Sequence, residues 1–587
     1  MTQAVSTDPV ARRTADWLRQ VLPAGARLSA DSRSVGRGDA FFAYPGERVD
    51  GRDFVGRALA AGAGAIVYEA DGAAAAAVAA LVRDHAAAAR AVAGLRDSAG
   101  AIAAAWHGEP SARLTVVAIT GTNGKTSCSH WIADGANGRA AGAPSRAAVI
   151  GTLGIGVPGA LAPATLTTPD ALSLQQSFAD LVAAGFELVA IEASSIGLVQ
   201  GRLAGTRIAV AVLTNLTRDH LDYHGTMQAY AEAKARLFAW PELPALVINL
   251  EDPAALPMSR AAAATTRRIG YRVAGAANAA SAANAASVAD MVDANEADDG
   301  IALARAAGCD ELIVAVPIAG EFGRIVLIRH QGLHAAGRPA GAAGTAAGAT
   351  GAAGCERIEL RLGVIGRFNL ANALAVAGAW SALGWPLGEI AARLAALRPV
   401  PGRLDLIGDA GDTARPAVVV DYAHTPDALA SALTALRPLA QARGGALWCV
   451  FGAGGNRDAG KRPAMAAAVE THADRVVLTS DNPRDEAPAA IIAQVAAGLT
   501  RAPYLVEADR GHAIARALAE AAPADVVLLA GKGHEPYQEI AGVRLPFSDF
   551  DCARAALALR NDPAGTAAAG VAGSSAGDAG KPGGAKH

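Results

Sequence analysis

Lysine is scarce: of 52 basic residues only six are lysine, and the rest are arginine. Lys581 and Lys586 fall in a Gly/Ala tail, which leaves Lys125, Lys234, Lys461 and Lys532 for the remainder of the chain. In a sequence that otherwise writes Arg, a Lys marks a place where a compact ammonium or a deprotonatable amine is needed. Aromatics make up 4% of the chain against 52% hydrophobic residues, so Ala, Val, Leu and Ile must fill the cores. Five cysteines, odd in number and without C-x-x-C spacing, argue against a disulfide framework and a thiolate zinc site, and fit a reducing cytoplasm. There is no apolar targeting segment at the N-terminus and no run of about 18 uncharged apolar residues, so the expectation is neither secretion nor membrane insertion. A net charge of −3 excludes a general nucleic-acid binder, whose footprint is a clustered basic excess.

What is present is long enough, at 587 residues, for three to four domains of roughly 150 residues. Residues 1–112 read as mixed α/β, with extended segments at Asp39–Tyr44 and Gly64–Tyr68 and a long Ala-rich helical stretch after Asp71. The apolar run Leu114–Thr120 then leads directly into Gly121-Thr-Asn-Gly-Lys-Thr126, and further buried strands are expected at Leu188–Glu192 and Ile208–Asn215. Their spacing through helical segments predicts βαβ units and a mostly parallel sheet over residues 113–398. Low-complexity insertions are expected over about 258–355, broken by strands at Glu311–Pro317 and Arg324–His330, and a helix is expected to open at Gly366-Arg-Phe-Asn369. A third unit, 399–561, has four strand-like runs: Ala417–Asp421, Ala446–Phe451, Arg475–Ser480 and Asp525–Ala530. Each ends in a polar or Gly-rich segment, and ligands of open α/β sheets sit at the carboxyl ends of strands. The tail 562–587 reads as disordered.

A strand feeding Gly121–Thr126 and then a helix suits phosphate binding: Gly121 and Gly124 permit close approach, the amides of Thr122, Asn123 and Ser127 can face an anion, and Lys125 adds charge. The match to G-x-x-x-x-G-K-[ST] is incomplete, because Ile119 stands at the first Gly position, and an ordinary Gly-rich turn is the competing reading. For a magnesium nucleotide, oxygen ligands are available from Thr126, Glu192, Asp219 and Asp222, with His220 and His224 nearby. Taken singly, Glu192 reads equally as a helix cap and the histidines as surface residues. Lys234 taken alone is an exposed helical lysine, and only its rarity draws attention. Asp481-Asn-Pro-Arg484 has the composition of a turn.

Thr120–Thr126, Glu192-Ala-Ser-Ser195, Asn215–Asp222, Gly366–Asn369, Gly402-Arg403, Asp421–His424 and Gly531-Lys-Gly-His-Glu535 together resemble the Mur ligase family of peptidoglycan synthesis, across roughly residues 30–555. The resemblance implies three α/β domains: an N-terminal UDP-sugar domain (1–112), a central P-loop ATPase-type domain (113–398) and a C-terminal Rossmann-like domain that receives an amino acid (399–561). It implies catalytic roles for Lys125, Glu192, His220 and Lys234, with ATP held by Gly121 to Ser127, Asn369, Arg403 and Asp421. Mg2+ would sit on Thr126, Glu192 and His220, and Lys234 would carry a CO2-derived carbamate, which arginine could not form stably. The implied UDP-muramoyl-dipeptide contacts are Ser32, Glu47, Arg48, Val49, Thr167, Thr168, Ser194, Gln200 and Arg202. Those for the amine donor are Arg457, Asp481, Asn482, Pro483, Arg484, Gly531 and Glu535.

Arg484 is the residue expected to discriminate. Meso-2,6-diaminopimelate, unlike lysine, ends in a second amino-acid group, whose carboxylate suits a guanidinium and whose ammonium suits Glu535. The implied activity is ATP-dependent addition of diaminopimelate to UDP-N-acetylmuramoyl-L-alanyl-D-glutamate through an acyl phosphate, by a cytoplasmic monomer. The rivals are a lysine-adding ligase, a folylpolyglutamate synthase and, in another class, a non-catalytic nucleotide-binding scaffold.

Overall fold

The computed structural model describes residues 8–47, 49–85, 87–138, 147–275, 294–318, 323–333, 354–408 and 414–560. The expected insertions at 276–293 and 334–353, and the expected disordered tail, lie outside the described residues. The chain divides into two compact units, 1–400 and 401–587.

The first unit holds two sheets. A four-stranded parallel sheet runs in the order Leu28–Ser29, Ala40–Ala43, Ala65–Glu69, Ala88–Val92. The single helical stretch expected after Asp71 is instead a helix at Ala74–Asp84, the edge strand Ala88–Val92 and a second helix at Leu95–Trp106. Alanine suits both periods poorly, so the strand was invisible until its partner Ala65–Glu69 was in place. Glu69 is buried at that partner's end and accepts from the amides of Gly94 (3.0 Å) and Leu95 (2.8 Å), which fixes the start of the second helix.

The second sheet has eleven strands, with Thr115–Thr120 in its interior between the parallel strands Val210–Leu213 and Leu188–Glu192. Side chains alternate across it. Val117 and Ile119 face the helices Lys125–Asn137 and Arg367–Ala382, while Val116 and Ala118 face the helix Ala171–Ala183. Burial on both faces explains why these strands read as continuous apolar runs. On one side the sheet continues through Ala245–Asn249, Arg267–Val273 and Glu311–Pro317, then the antiparallel Arg324–Gln331 and Cys355–Arg361. The low-complexity segment was therefore drawn too wide: it overlaps the helix Ala255–Ala261 and contains the strand Arg267–Val273 and the helix Ala294–Ala306. Three arginines, Arg267, Arg268 and Arg272, disguise that strand. Arg268 is nevertheless buried, with its guanidinium on the carbonyls of Thr266 (2.8 Å), Ala262 and Ala263 (3.1 Å each).

The second unit has a six-stranded sheet in the order Asp405–Ile407, Ala417–Asp421, Val526–Ala530, Leu447–Phe451, Arg475–Leu478, Leu505–Val506, parallel except at the first pair. The four strands expected from sequence occupy its centre, so their polar loops leave from one edge. A hairpin, Tyr537–Ile540 and Val543–Pro546, stands apart from the sheet. No helix among the described residues is long and apolar enough to cross a membrane.

Candidate active site

The strand Thr115–Thr120 ends in a loop whose shape depends on glycine. Gly121 has φ 147° and Gly124 has φ 87°, and a Cβ would strike Thr214 Oγ1 at the first and Asn372 Oδ1 at the second. Asn215 braces the loop, accepting from Thr122 N through its carbonyl and from Asn123 N through Oδ1, both at 2.9 Å. A helix starts at Lys125, so Thr126 and Ser127 lie in its first turn, where free amides and the helix dipole favour an anion.

Two lysines meet on one carbonyl. Lys125 Nζ donates to Gly121 O and Thr122 O at 2.8 Å each, and Lys234 Nζ donates to Gly121 O at 2.9 Å. Lys234 is not the exposed helical lysine of the bland reading: it is 1% exposed and lies 4.4 Å over the Tyr230 ring. Burial first and the charge of Lys125 second pull its pKa well below the ordinary lysine range, against the pull of Asp219. The Tyr230 hydroxyl lies 3.2 Å from Thr122 Oγ1, tying the Lys234 helix to the loop.

Glu192 is buried at the end of its strand and caps no helix. Its Oε2 accepts from Thr126 Oγ1 and Thr152 Oγ1, both at 3.1 Å, and its Oε1 from Thr152 N at 2.9 Å. The Thr126 hydroxyl and this carboxylate are hard oxygen donors side by side, the ligand chemistry that suits Mg2+. His220, at φ 53°, has Nε2 3.6 Å from Asp219 Oδ2. Among the described residues no three His, Cys, Asp or Glu side chains gather into a preformed metal cage.

Around Glu192 the other expected residues form a chain. Thr167 Oγ1 is 3.1 Å from Thr152 Oγ1; Thr168 Oγ1 donates to Glu192 O at 2.7 Å and lies 2.9 Å from Ser194 Oγ; and Arg202 donates to Thr168 O at 2.7 Å and to Gln200 Oε1. Glu47 receives the hydroxyl of Tyr223, and Arg96 stands 3.5 Å away. Burial alone would raise the Glu47 pKa, but bonds from Tyr223 and Gln200 and the Arg96 charge leave it lowered. Ser32 is buried, Val49 is exposed, and Arg48 lies outside the described residues. Asn369 is buried in the first turn of Arg367–Ala382 and donates to Ile365 O at 2.9 Å.

In the second unit, Asp421 ends its strand and accepts from Leu404 N (2.7 Å) and Ala423 N (2.8 Å); burial raises its pKa against the nearby Arg403. Arg403 lies 4.4 Å over the Tyr422 ring. At the neighbouring strand ends the structure gathers Asp481, Asn482, Gly531 and Glu535: a Cβ on Gly531 would stand 2.6 Å from Asp481 Oδ2, and Asn482 Nδ2 donates to Glu535 Oε2 at 2.8 Å. The 481–484 segment is more than a turn, because Arg484 N donates to Glu539 O at 3.0 Å and pairs the segment with the hairpin. Arg484, at φ 50°, directs Nη1 to Gly455 O at 2.7 Å, held in place after Pro483. Arg457 is exposed beside the same glycine loop.

Sequence reasoning assigned no role to four residues that hold these groups. Asn215 and Tyr230 brace the phosphate-type loop, Lys532 sits inside the Asn482–Glu535 cluster, and Arg510 pairs with Asp549 beneath it at 2.7 Å. Lys532 carried a signal, its rarity, but of its two hydrogen-bond partners only Glu535 is near in sequence, and Asn482 is 50 residues away.

Similarity to known proteins is extensive. Residues 26–107 match the Mur ligase family catalytic domain, 119–323 the Mur ligase middle domain, and 402–533 the Mur ligase glutamate ligase domain. A protein of Acidovorax sp. (strain JS42), named UDP-N-acetylmuramoyl-L-alanyl-D-glutamate--2,6-diaminopimelate ligase, is 45% identical over 95% of this chain and 99% of its own. The protein of the same name from Pseudomonas aeruginosa is 43% identical over 93% and 99%. A solved structure bearing that name is 32% identical, with a TM-score of 0.55 over 91% of this chain and 95% of its own. The fold is also that of MurF ligase from Thermotoga maritima in complex with ADP, at 18% identity and a TM-score of 0.52, covering 89% of this chain and 95% of that one. With three matching domains in order and relatives aligned almost end to end, the chain belongs to the Mur ligase family.

Proposed function

We propose that the chain is an ATP-dependent ligase that joins meso-2,6-diaminopimelate to UDP-N-acetylmuramoyl-L-alanyl-D-glutamate, a step of cytoplasmic peptidoglycan precursor synthesis that serves cell shape and division. The observation that carries this reading is the near-full-length identity to relatives named for that reaction. Two features of the chain's own geometry support it: the glycine loop with Lys125 and Lys234 on one carbonyl, and the placing of Arg484 and Glu535 beside one another's loops.

In this reading the amides of residues 121–127 and Lys125, released from its loop carbonyls, bind the triphosphate, with Asn369, Arg403 and Asp421 on the base and ribose side. Thr126 and Glu192 would hold one Mg2+ and His220 a second, which when bound neutralise phosphate charge. Thr167, Thr168, Ser194, Gln200, Arg202, Ser32 and the 47–49 segment hold the UDP-linked acceptor. Its side-chain carboxylate attacks the γ-phosphorus of ATP, forming an O–P bond as ADP leaves. The donor amine then attacks the acyl carbon; the C–N bond forms, phosphate leaves and the amine proton passes to solvent or phosphate. Lys234, buried and with its pKa lowered, is suited to attack CO2 as the neutral amine, forming an N–C bond and releasing one proton to solvent to become a carbamate anion. Arg484 takes the distal carboxylate of the donor and Glu535 its ammonium, with Arg457, Asp481, Asn482, Pro483 and Gly531 shaping the pocket. The enzyme acts as a monomer.

The test is incubation with ATP, Mg2+, UDP-muramoyl dipeptide and one amino acid at a time. Phosphate release and tripeptide formation are expected with diaminopimelate and not with lysine. No release with any amino acid would refute the ligase reading, and a preference for lysine would refute its specificity.

A further inference from the structure

Lys532 lies in the loop after Val526–Ala530 with a side chain that is 0% exposed. Its Nζ donates to Asn482 Oδ1 at 3.0 Å and to Glu535 Oε2 at 3.2 Å, and Asp481 Oδ1 stands 3.9 Å away. Asn482 Oδ1 also accepts from Glu539 N at 2.9 Å. With two donors on Oδ1, the amide is fixed in one orientation, and its Nδ2 turns to Glu535 Oε2 at 2.8 Å. Glu535 is thus filled on one side only. Its Oε2 takes both bonds, and Oε1 takes none from the described residues.

A carboxylate pinned through one oxygen can offer the other along a defined direction, whereas an unpinned one must be ordered by its ligand at an entropic cost. We infer that Lys532 is a positioning residue for choice of the amine donor: its ammonium locks Asn482 and Glu535 so that Glu535 presents Oε1 to the distal ammonium of a zwitterionic donor. This rests on the diaminopimelate reading above. It also gives the rare lysine a purpose that arginine would serve less well, since one compact point charge must reach two acceptors inside a sealed space.

The experiment uses the full chain with diaminopimelate and with 2-aminopimelate, which keeps the distal carboxylate and lacks the distal ammonium. Lys532→Met should raise KM for diaminopimelate by about tenfold or more, the weight of a charge-assisted hydrogen bond, and leave KM for 2-aminopimelate, ATP and the UDP-linked acceptor nearly unchanged. Lys532→Arg should recover part of the loss. Equal rises for both donors, or a fall in kcat with every KM unmoved, would overturn the inference. Should Lys532→Met not fold, Lys532→Gln carries the same comparison. The unmodified enzyme decides independently of either variant: a preference for diaminopimelate over 2-aminopimelate of less than about threefold leaves Glu535 nothing to read and overturns the inference, and about tenfold or more supports it. Absence of turnover with diaminopimelate in the unmodified enzyme would instead strike the functional reading itself.

Discussion

Lys234 and Lys532 are both sealed from solvent, yet they live in opposite surroundings. Lys234 faces a carbonyl, the Tyr230 ring and a second lysine, with one carboxylate, Asp219, acting on it, whereas Lys532 faces Asn482, Glu535 and Asp481, with the Tyr537 ring 5.7 Å away. The first setting lowers the lysine's pKa through burial and the charge of Lys125; the second places carboxylate oxygens of Glu535 and Asp481 3.2 and 3.9 Å from the amine. Burial alone therefore says little about what a lysine does, and its nearest charged neighbours say most. The two regions around them differ as well: the glycine loop is held by backbone contacts and close packing, and the 481–535 cluster of the second unit by ion pairs with buried cations.

The sharpest way to break the contrast is Lys234→Ala, which should lower kcat by roughly a hundredfold to a thousandfold, as loss of one preorganised charge does. Short carboxylates such as formate should restore part of that rate if a carbamate is the working form, and a variant indifferent to them would remove the carbamate from the account. Next in size is Arg510→Met. Arg510 and Asp549 are both 0% exposed, and Arg510 also donates to Ala530 O (2.9 Å) and Ser480 O (3.3 Å), the carbonyls just before Gly531 and Asp481. Leaving Asp549 alone should cost about 3–5 kcal/mol in urea unfolding of the second unit.

A third comparison is pH. Because the folded chain holds Lys234 below its ordinary value of 10.5, the unfolded chain binds that proton more tightly, and stability rises with pH between the lowered value and 10.5. In CO2-free buffer the unmodified protein should gain on Lys234→Met across that window, by at most about 1.4 kcal/mol per pH unit; denaturation midpoints measured against pH would show parallel curves if the lysine were ordinary. The smallest effect is Arg516→Ala, on the same helix as Arg510. Its pair with Glu520 is solvent-exposed, 55% and 37%, and removal should cost only about 0.3–0.5 kcal/mol.

Much of the scaffold could be read from the chain itself. Strands buried on both faces announce themselves as unbroken apolar runs, and here each ran straight into its polar loop, as at Thr120–Gly121 and Ala530–Gly531. The missed elements share a cause: their patterns depend on partners remote in sequence. Ala88–Val92 has almost no amphipathic contrast, and Arg267–Val273 hides its strand character behind Arg268, whose charge is absorbed by carbonyls of the preceding segment. The site divides likewise. Glycines with steric consequences were legible at 121 and 124, while the bracing by Asn215, Tyr230 and Arg510 arises only when segments more than 30 residues apart are folded together.

The pairing of Arg484 with Ile540 ties the backbone of Arg484 to a hairpin that stands apart from the sheet, while its guanidinium bonds to Gly455 O. Anyone redesigning the enzyme to accept another donor would thus need to transplant 481–484 and 535–546 as a matched set, since a point exchange at 484 alone would leave its replacement seated on a frame built for a different side chain.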